Sequence, residues 1–169
     1  VHEELTAMPI ELQTRKGRPP RVVIDNHLVI TALMFGGGTA ARLRQAWQNG
    51  HCRPMVCKAT VLDLLRQLGQ PQLGFSAQEQ QSLLGEFMPH VLKVRVPEAD
   101  SSSATDPAGL AFVRLAMAGK AHALVTADRD LLAMAERFIC PVLTLDSFID
   151  TLASRRDAAR PPSRTALAA

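Results

Sequence analysis

Apolar and polar positions fall into short blocks that change period along the chain. Residues 21–24 are Arg-Val-Val-Ile, a β-branched run that stops at Asp25, and this predicts a buried strand with a carboxylate at its C-terminal end. A second apolar run, 28–35, follows. Thr39 is placed to cap a helix over 40–49 that Gly50 closes. Residues 53–57 predict a weaker strand, and 59–68 a helix with Leu62, Leu65 and Leu68 on one stripe. Ser76 and Glu79 form a capping box for a helix to about Met88, and 91–96 alternates as a strand. Asp106 with Pro107 opens a further helix to Ala118, with Gly119 as its stop. Strands over 122–126 and 141–145 bracket a helix over 130–138, and Asp146 is expected to cap the last helix.

The resulting order, β-α-β-α-α-β-α-β-α-β-α, predicts an α/β domain with a mostly parallel central sheet flanked by helices and joined by right-handed crossovers. In such sheets binding and catalysis collect beyond the carboxyl ends of the strands. A chain of 169 residues suits one domain. Residues 1–20, closing on Thr-Arg-Lys-Gly-Arg-Pro-Pro, are expected as a flexible arm, 21–154 as the folded domain, and 155–169 as a basic tail.

Composition narrows the picture. Hydrophobic residues at 47% and charged residues at 21% exclude a disordered polar chain, and no apolar run approaches the roughly 18 to 20 residues of a membrane span. The net charge of +3 hints at nucleic acid, but residues 21–154 hold equal numbers of basic and acidic side chains. The excess sits in the last fifteen residues, where Arg155, Arg156, Arg160 and Arg164 face Asp157 alone. Three cysteines without metal spacing argue against a disulfide framework or zinc site, and a reducing cytoplasm fits them.

The acids are the candidate chemistry. Asp25 ends one strand, Asp128 and Asp130 follow another, and Asp63 lies between Leu62 and Leu64 on a helix. Carboxylates gathered at one place repel unless a cation neutralises them, and hard oxygen ligands suit Mg²⁺ or Mn²⁺. Such ions activate water and clamp a phosphodiester, so metal-dependent phosphodiester hydrolysis is the expected reaction class. Taken singly, Asp106, Asp128 and Asp130 are equally good helix caps or turn residues. Asp25, flanked by apolar runs, is the least easily explained that way.

Four spaced segments together resemble the bacterial PIN domains regarded as toxin components of toxin–antitoxin pairs. They are 21–35 followed by Gly36-Gly37-Gly38, then 60–71 with Pro71, then Leu124-Val-Thr-Ala-Asp128-Arg-Asp130-Leu-Leu, and Pro141-Val-Leu-Thr-Leu-Asp-Ser-Phe148. The resemblance implies a Rossmann-like three-layer PIN fold and a ribonuclease that cuts single-stranded RNA with Mg²⁺ or Mn²⁺. It places the catalytic, metal-binding acids at Asp25, Asp63 and Asp128, with Asp130 as a neighbouring acid and Asp106 as the survivor of the third-acid segment; Asn26, Thr126 and Arg129 are the further supporting candidates. It further implies a cognate antitoxin and a homodimer as partners. Two departures stand out: the family's Asp-Thr-Asn is Asp25-Asn26-His27 here, and its third acid falls on Leu110, which cannot bind a cation. Two readings therefore stay open, a nuclease in which Asp106 or Asp130 covers the gap, and a degenerate PIN domain that binds RNA or protein without cutting.

Other residues are weighed against plainer roles. His27 beside Asp25 is a candidate ligand or base, with packing against the next element as the commoner use, and His51 and His122 are expected at the surface. With no Tyr and one Trp there is no stacking platform for bases, and Trp47 is expected in the core. Of Arg42, Arg44, Arg66 and Arg129, the last, between two acids, is the best phosphate candidate. Gly36-Gly37-Gly38 has neither GxGxxG nor P-loop spacing, which argues against a small-molecule phosphate enzyme.

Overall fold

The first strand, β1 (Arg21–Ile24), turns Val22 and Ile24 toward one layer and Val23 toward the other, so each side of the sheet has its own apolar cluster. The computed structural model describes residues 10–15, 17–97 and 109–161. Beyond β1 come α1 (Asn26–Met34), α2 (Gly38–Gln48), β2 (Arg53–Val56), α3 (Lys58–Leu68), α4 (Ala77–Phe87) and β3 (Leu92–Lys93). They are followed by α5 (Leu110–Gly119), β4 (Ala123–Val125), α6 (Arg129–Ala133), β5 (Val142–Leu143) and α7 (Leu145–Ala159). The five strands pair in the order β3-β2-β1-β4-β5, all parallel. The expected three-layer α/β architecture is thus the observed one.

One layer packs α1, α2, α3, α4 and α7 over Val22, Ile24, Ala123, Val125 and Leu143. Trp47 on α2 is buried there as expected and meets Phe87 of α4 edge-on, with ring centroids 5.1 Å apart. The opposite layer sets Phe112, Leu115 and Ala116 of α5 against Val23, Met55, Leu124 and Val142. Parallel strands covered on both faces need side chains that are apolar throughout, and the short Val/Ile/Leu runs supply them.

Several elements differ from the sequence expectation. The apolar run after Asp25, to which the periodicity assigns no element, is a helix, α1, capped by the Asp25 side chain. Helix α2 begins two residues early, at Gly38 with Gly37 as N-cap, so Thr39 lies inside the helix and caps nothing. On α3 the buried leucines are Leu64 and Leu68, whereas Leu62 and Leu65 are exposed, because the helix rests its 60–64–68 face on the sheet. The strand expected over 91–96 is reduced to Leu92–Lys93, and the helix expected over 130–138 is the short α6 plus a 3₁₀ turn at Ala135–Arg137. Thr144, not Asp146, caps α7, since its hydroxyl accepts from Ser147 N at 3.3 Å. Helix α7 also continues to Ala159, past the point where a tail was expected. Leu12, placed in the expected N-terminal arm, is buried, and Arg155 donates to Leu12 O at 3.2 Å and to Thr14 Oγ1. Asp106 and Pro107 lie outside the described residues, where α5 begins at Leu110.

Among the described residues, no helix is long and apolar enough to cross a membrane.

Candidate active site

The chain order reverses between β1 and β4: the sheet grows through β2 and β3 on one side and through β5 on the other. Parallel α/β sheets open a crevice at such a switch point, beyond the strands' carboxyl ends. Asp25 is the first residue past β1, and its N–H still donates to Val125 O of β4 at 2.9 Å. Its carboxylate is held on both oxygens. Oδ1 accepts from His27 N at 3.0 Å, which caps α1, and Oδ2 accepts from Thr126 Oγ1 at 3.0 Å.

Thr126 is the first residue past β4 and is fully buried. Its hydroxyl proton goes to Asp25, which leaves a lone pair for the Asp128 N–H at 3.0 Å. Asp128 in turn accepts from Asp130 N at 2.8 Å through Oδ1 and so caps α6. Both candidate acids therefore act as helix caps. Capping uses one oxygen of each, and a carboxylate has about four lone-pair sites, so acceptor capacity remains on both. Asp25 is half-buried, while Asp128, Arg129 and Asp130 are exposed at the crevice rim.

Asp63, the remaining expected acid, is linked to α1 through Asn26, which is 4% exposed and sits at the start of that helix. Asn26 Nδ2 donates to Thr60 O at 2.9 Å and to Asp63 Oδ2 at 3.0 Å, tying α1 to α3. Asn26 thus steadies Asp63, while the hydroxyl that steadies Asp25 comes from Thr126. Asp63 also accepts from Gln67 Nε2 at 2.6 Å and pairs with Arg66. Partial burial pushes the Asp63 carboxyl up, but hydrogen bonds from Arg66, Asn26 and Gln67, with the Arg66 charge, outweigh it and hold its pKa below the usual value. Gln67 was not singled out from the sequence; its i,i+4 spacing from Asp63 was the available signal.

The Thr126 hydroxyl thus links the Asp25 carboxylate to the Asp128 backbone N–H, whereas Asp63 accepts from Asn26, Arg66 and Gln67. Among the described residues, no three His, Cys, Asp or Glu side chains are grouped so as to hold a metal. The side chain of Leu110, in the first turn of α5, carries no oxygen. Mg²⁺ is commonly held by only one or two carboxylates, with waters and substrate oxygens completing its shell. The pair Asp25 and Asp128, hard donors with spare lone pairs on a polar rim, fits an ion bound in that way.

The remaining candidates divide clearly. His27 contributes its backbone N–H to Asp25, and its ring is exposed. His122 is not a free surface group: its Nδ1 accepts from Arg21 N at 2.9 Å, and burial, with Arg21 and Arg155 nearby, lowers its pKa. Arg44 pairs with Glu86 and Arg66 with Asp63, so each already has a carboxylate partner. The buried thiols of Cys52 and Cys140 are pushed up to about 12 and about 11 by desolvation, so they stay protonated.

No curated protein matched the sequence closely. A family model described as PIN domain matches residues 21–130, which spans β1, the Asp63 helix and the Thr126–Asp130 segment. With well over half of the chain matched, and the Asp25 and Asp128 ends of β1 and β4 both inside the match, the chain belongs to the PIN-domain family, a family of nucleases.

Proposed function

We propose that this chain is a metal-dependent endoribonuclease that hydrolyses single-stranded RNA, and that it is the toxin of a toxin–antitoxin pair held in check by its cognate antitoxin. The observation that carries the nuclease reading is the shared hydroxyl of Thr126 between Asp25 and Asp128 at the switch point of the sheet. In this reading Asp25 and Asp128 hold Mg²⁺ or Mn²⁺, and Asp63 acts from behind Asn26 as the outer acid. When bound, the ion lowers the pKa of its water and offsets charge on the scissile phosphate. Thr126 fixes the Asp25 carboxylate and the Asp128 backbone in one geometry, so neither must reorganise when substrate arrives. Arg129, exposed between Asp128 and Asp130, takes a phosphate oxygen in this reading. The toxin assignment draws on the sequence resemblance to that group.

Purified protein with Mn²⁺ is expected to cut an unstructured RNA, and Asp25→Asn to reduce the rate roughly a hundredfold or more while keeping the α1 cap, since Asn also caps. Absence of cutting at millimolar Mn²⁺ would overturn the nuclease reading. Expression of the wild type, but not of Asp25→Asn, should arrest growth of a bacterial host.

Leu110 and the Asp63–Arg66 pair favour a second reading, a PIN domain that binds RNA or protein without turnover. Under that reading calorimetry finds weak Mn²⁺ binding, and Leu110→Asp strengthens it. If Leu110→Asp changes neither Mn²⁺ affinity nor activity, Leu110 is not the missing acid position.

A further inference from the structure

The second end of the molecule carries an unpaired basic groove. Helix α2 ends at Gln48 and the chain turns through Asn49 and His51 into the amino end of β2, opposite the end where Asp25 sits. Helix α7 packs against α2 and brings its last turns to the same place. Arg42, Asn49, His51 and Arg156 line one groove there, and the groove continues past Arg160 and Asp157. Its floor is apolar, formed by Ile149 and Leu152. Arg155, one residue away, is used up on Leu12 and Thr14, and Arg44 on Glu86. Among the described residues, the side chains of Arg42, Arg156 and Arg160 make no hydrogen bond or ion pair, and Asp157, whose backbone carbonyl accepts from Arg160 N, is the single acid lining the groove.

Three exposed arginines along one groove raise the local positive potential, and an anion with several charged oxygens offers them charge-assisted partners. We infer that this α2–α7 groove is a second RNA-binding site that grips the phosphate backbone of a single strand at the end of the sheet opposite the acids. The inference rests on the RNA reading above and adds to it where the strand is held. From Leu145 to Arg156 helix α7 rises about 16 Å, so the groove and the acidic crevice are separate places on one surface. The split explains a sequence feature left over from the charge count: the basic excess of the last fifteen residues begins on the ordered end of α7, not in a free tail. Arginines held on helices lose less entropy on binding a phosphate than the same charges on a mobile segment.

The test is fluorescence anisotropy of a labelled 12-nucleotide oligouridylate over a KCl series, on the full chain. Expected is binding by the wild type that weakens roughly tenfold in the double variant Arg42→Ala/Arg156→Ala, with the salt slope reduced by about 1.4, the value for two released counterions on a single strand. Arg160→Ala should give about half that change in slope, and Arg137→Ala, an exposed arginine elsewhere, none. Thermal melts followed by circular dichroism check that the variants fold. Unchanged affinity and slope in the double variant, or no binding by the wild type, would overturn the assignment. So would a polyglutamate peptide that binds as tightly as the RNA and loses its binding in the double variant, since the groove would then serve an acidic protein segment. Cleavage by the wild type with Mn²⁺ separates the two ideas: if the wild type binds RNA through the groove but never cuts, the nuclease reading falls and the groove stands.

Discussion

Thr126 donates its hydroxyl to Asp25 Oδ2 at 3.0 Å across the β1–β4 pairing, although 101 residues separate the two in sequence. The same oxygen accepts the Asp128 N–H, so one buried hydroxyl sets both acids of the crevice. Thr126→Val keeps the shape and removes both bonds. It is expected to lower RNA cleavage by about 10- to 100-fold, as loss of a partner behind a ligand commonly does. The stability loss should be about 1–3 kcal/mol, because the Asp25 oxygen and the Asp128 N–H lose a buried partner. Single-turnover cleavage and urea melts measure the two; equal activity in Thr126→Val would show that the hydroxyl does not position the acids.

Asp63 should make stability pH-dependent in the acid range. Its folded pKa is lowered, so its contribution is fully present above the ordinary carboxylate value of about 3.9 and is lost as pH falls through the lower folded value. Arg66→Gln removes the charge while leaving Asn26 and Gln67 in place. Urea midpoints between pH 6 and pH 3 should fall less steeply in Arg66→Gln than in the wild type. Superimposable pH profiles would mean that the exposed guanidinium adds nothing to the hold on Asp63.

His122 gives a second, separable pH effect. Its Nδ1 must be unprotonated to accept from Arg21 N, and its folded pKa is lowered. The stability it provides is therefore present above about pH 6.5 and is lost as pH falls through the lower folded value. His122→Asn retains an acceptor and removes the titration. The wild type should lose stability between pH 7.5 and pH 5.5, and the variant should lose measurably less in the same urea melts.

Gly119 ends α5 where the helix crosses the sheet. A Cβ there would lie 2.6 Å from Met55 Cε, 2.7 Å from Met55 Sδ and 3.2 Å from Val94 Cγ2. Met55 is buried but flexible at its end, so the clash is relieved by moving the thioether out of its present packing. Gly119→Ala is expected to cost about 1–2 kcal/mol, within the range for overpacked cores. Trp47, the single tryptophan, reports the unfolding by fluorescence. No loss of stability would show that the Met55 site yields freely.

Local patterning settled a good part of the molecule. The β-branched run at 21–24, the Ser76–Glu79 capping box and the Val-Thr-Ala-Asp-Arg-Asp segment each specify local structure through side chains that act within a few residues. The alternation of strands and helices then fixed a parallel α/β sheet, because parallel strands need crossovers of about a dozen residues or more. It also put Asp25 and Asp128 at strand ends, where such sheets gather ligands. Helix α1 escaped the local reading: its residues are apolar nearly all round, which gives no amphipathic period to read.

Which acids meet was decided only by the tertiary structure. Strand order brings β1 beside β4, and only then do Thr126 and Asp25 come within hydrogen-bond reach. The packing of α1 on α3 turns Asn26 toward Asp63 and leaves Arg66 and Gln67 to complete its partners. The family resemblance grouped Asp25, Asp63 and Asp128, while residue type and spacing carry no information on which partners each carboxylate has. Occupancy depends on side chains arriving from other elements. The same holds for the basic end of the chain, where the sequence supplied the arginines and the packing of α7 on α2 arranged three of them around one groove.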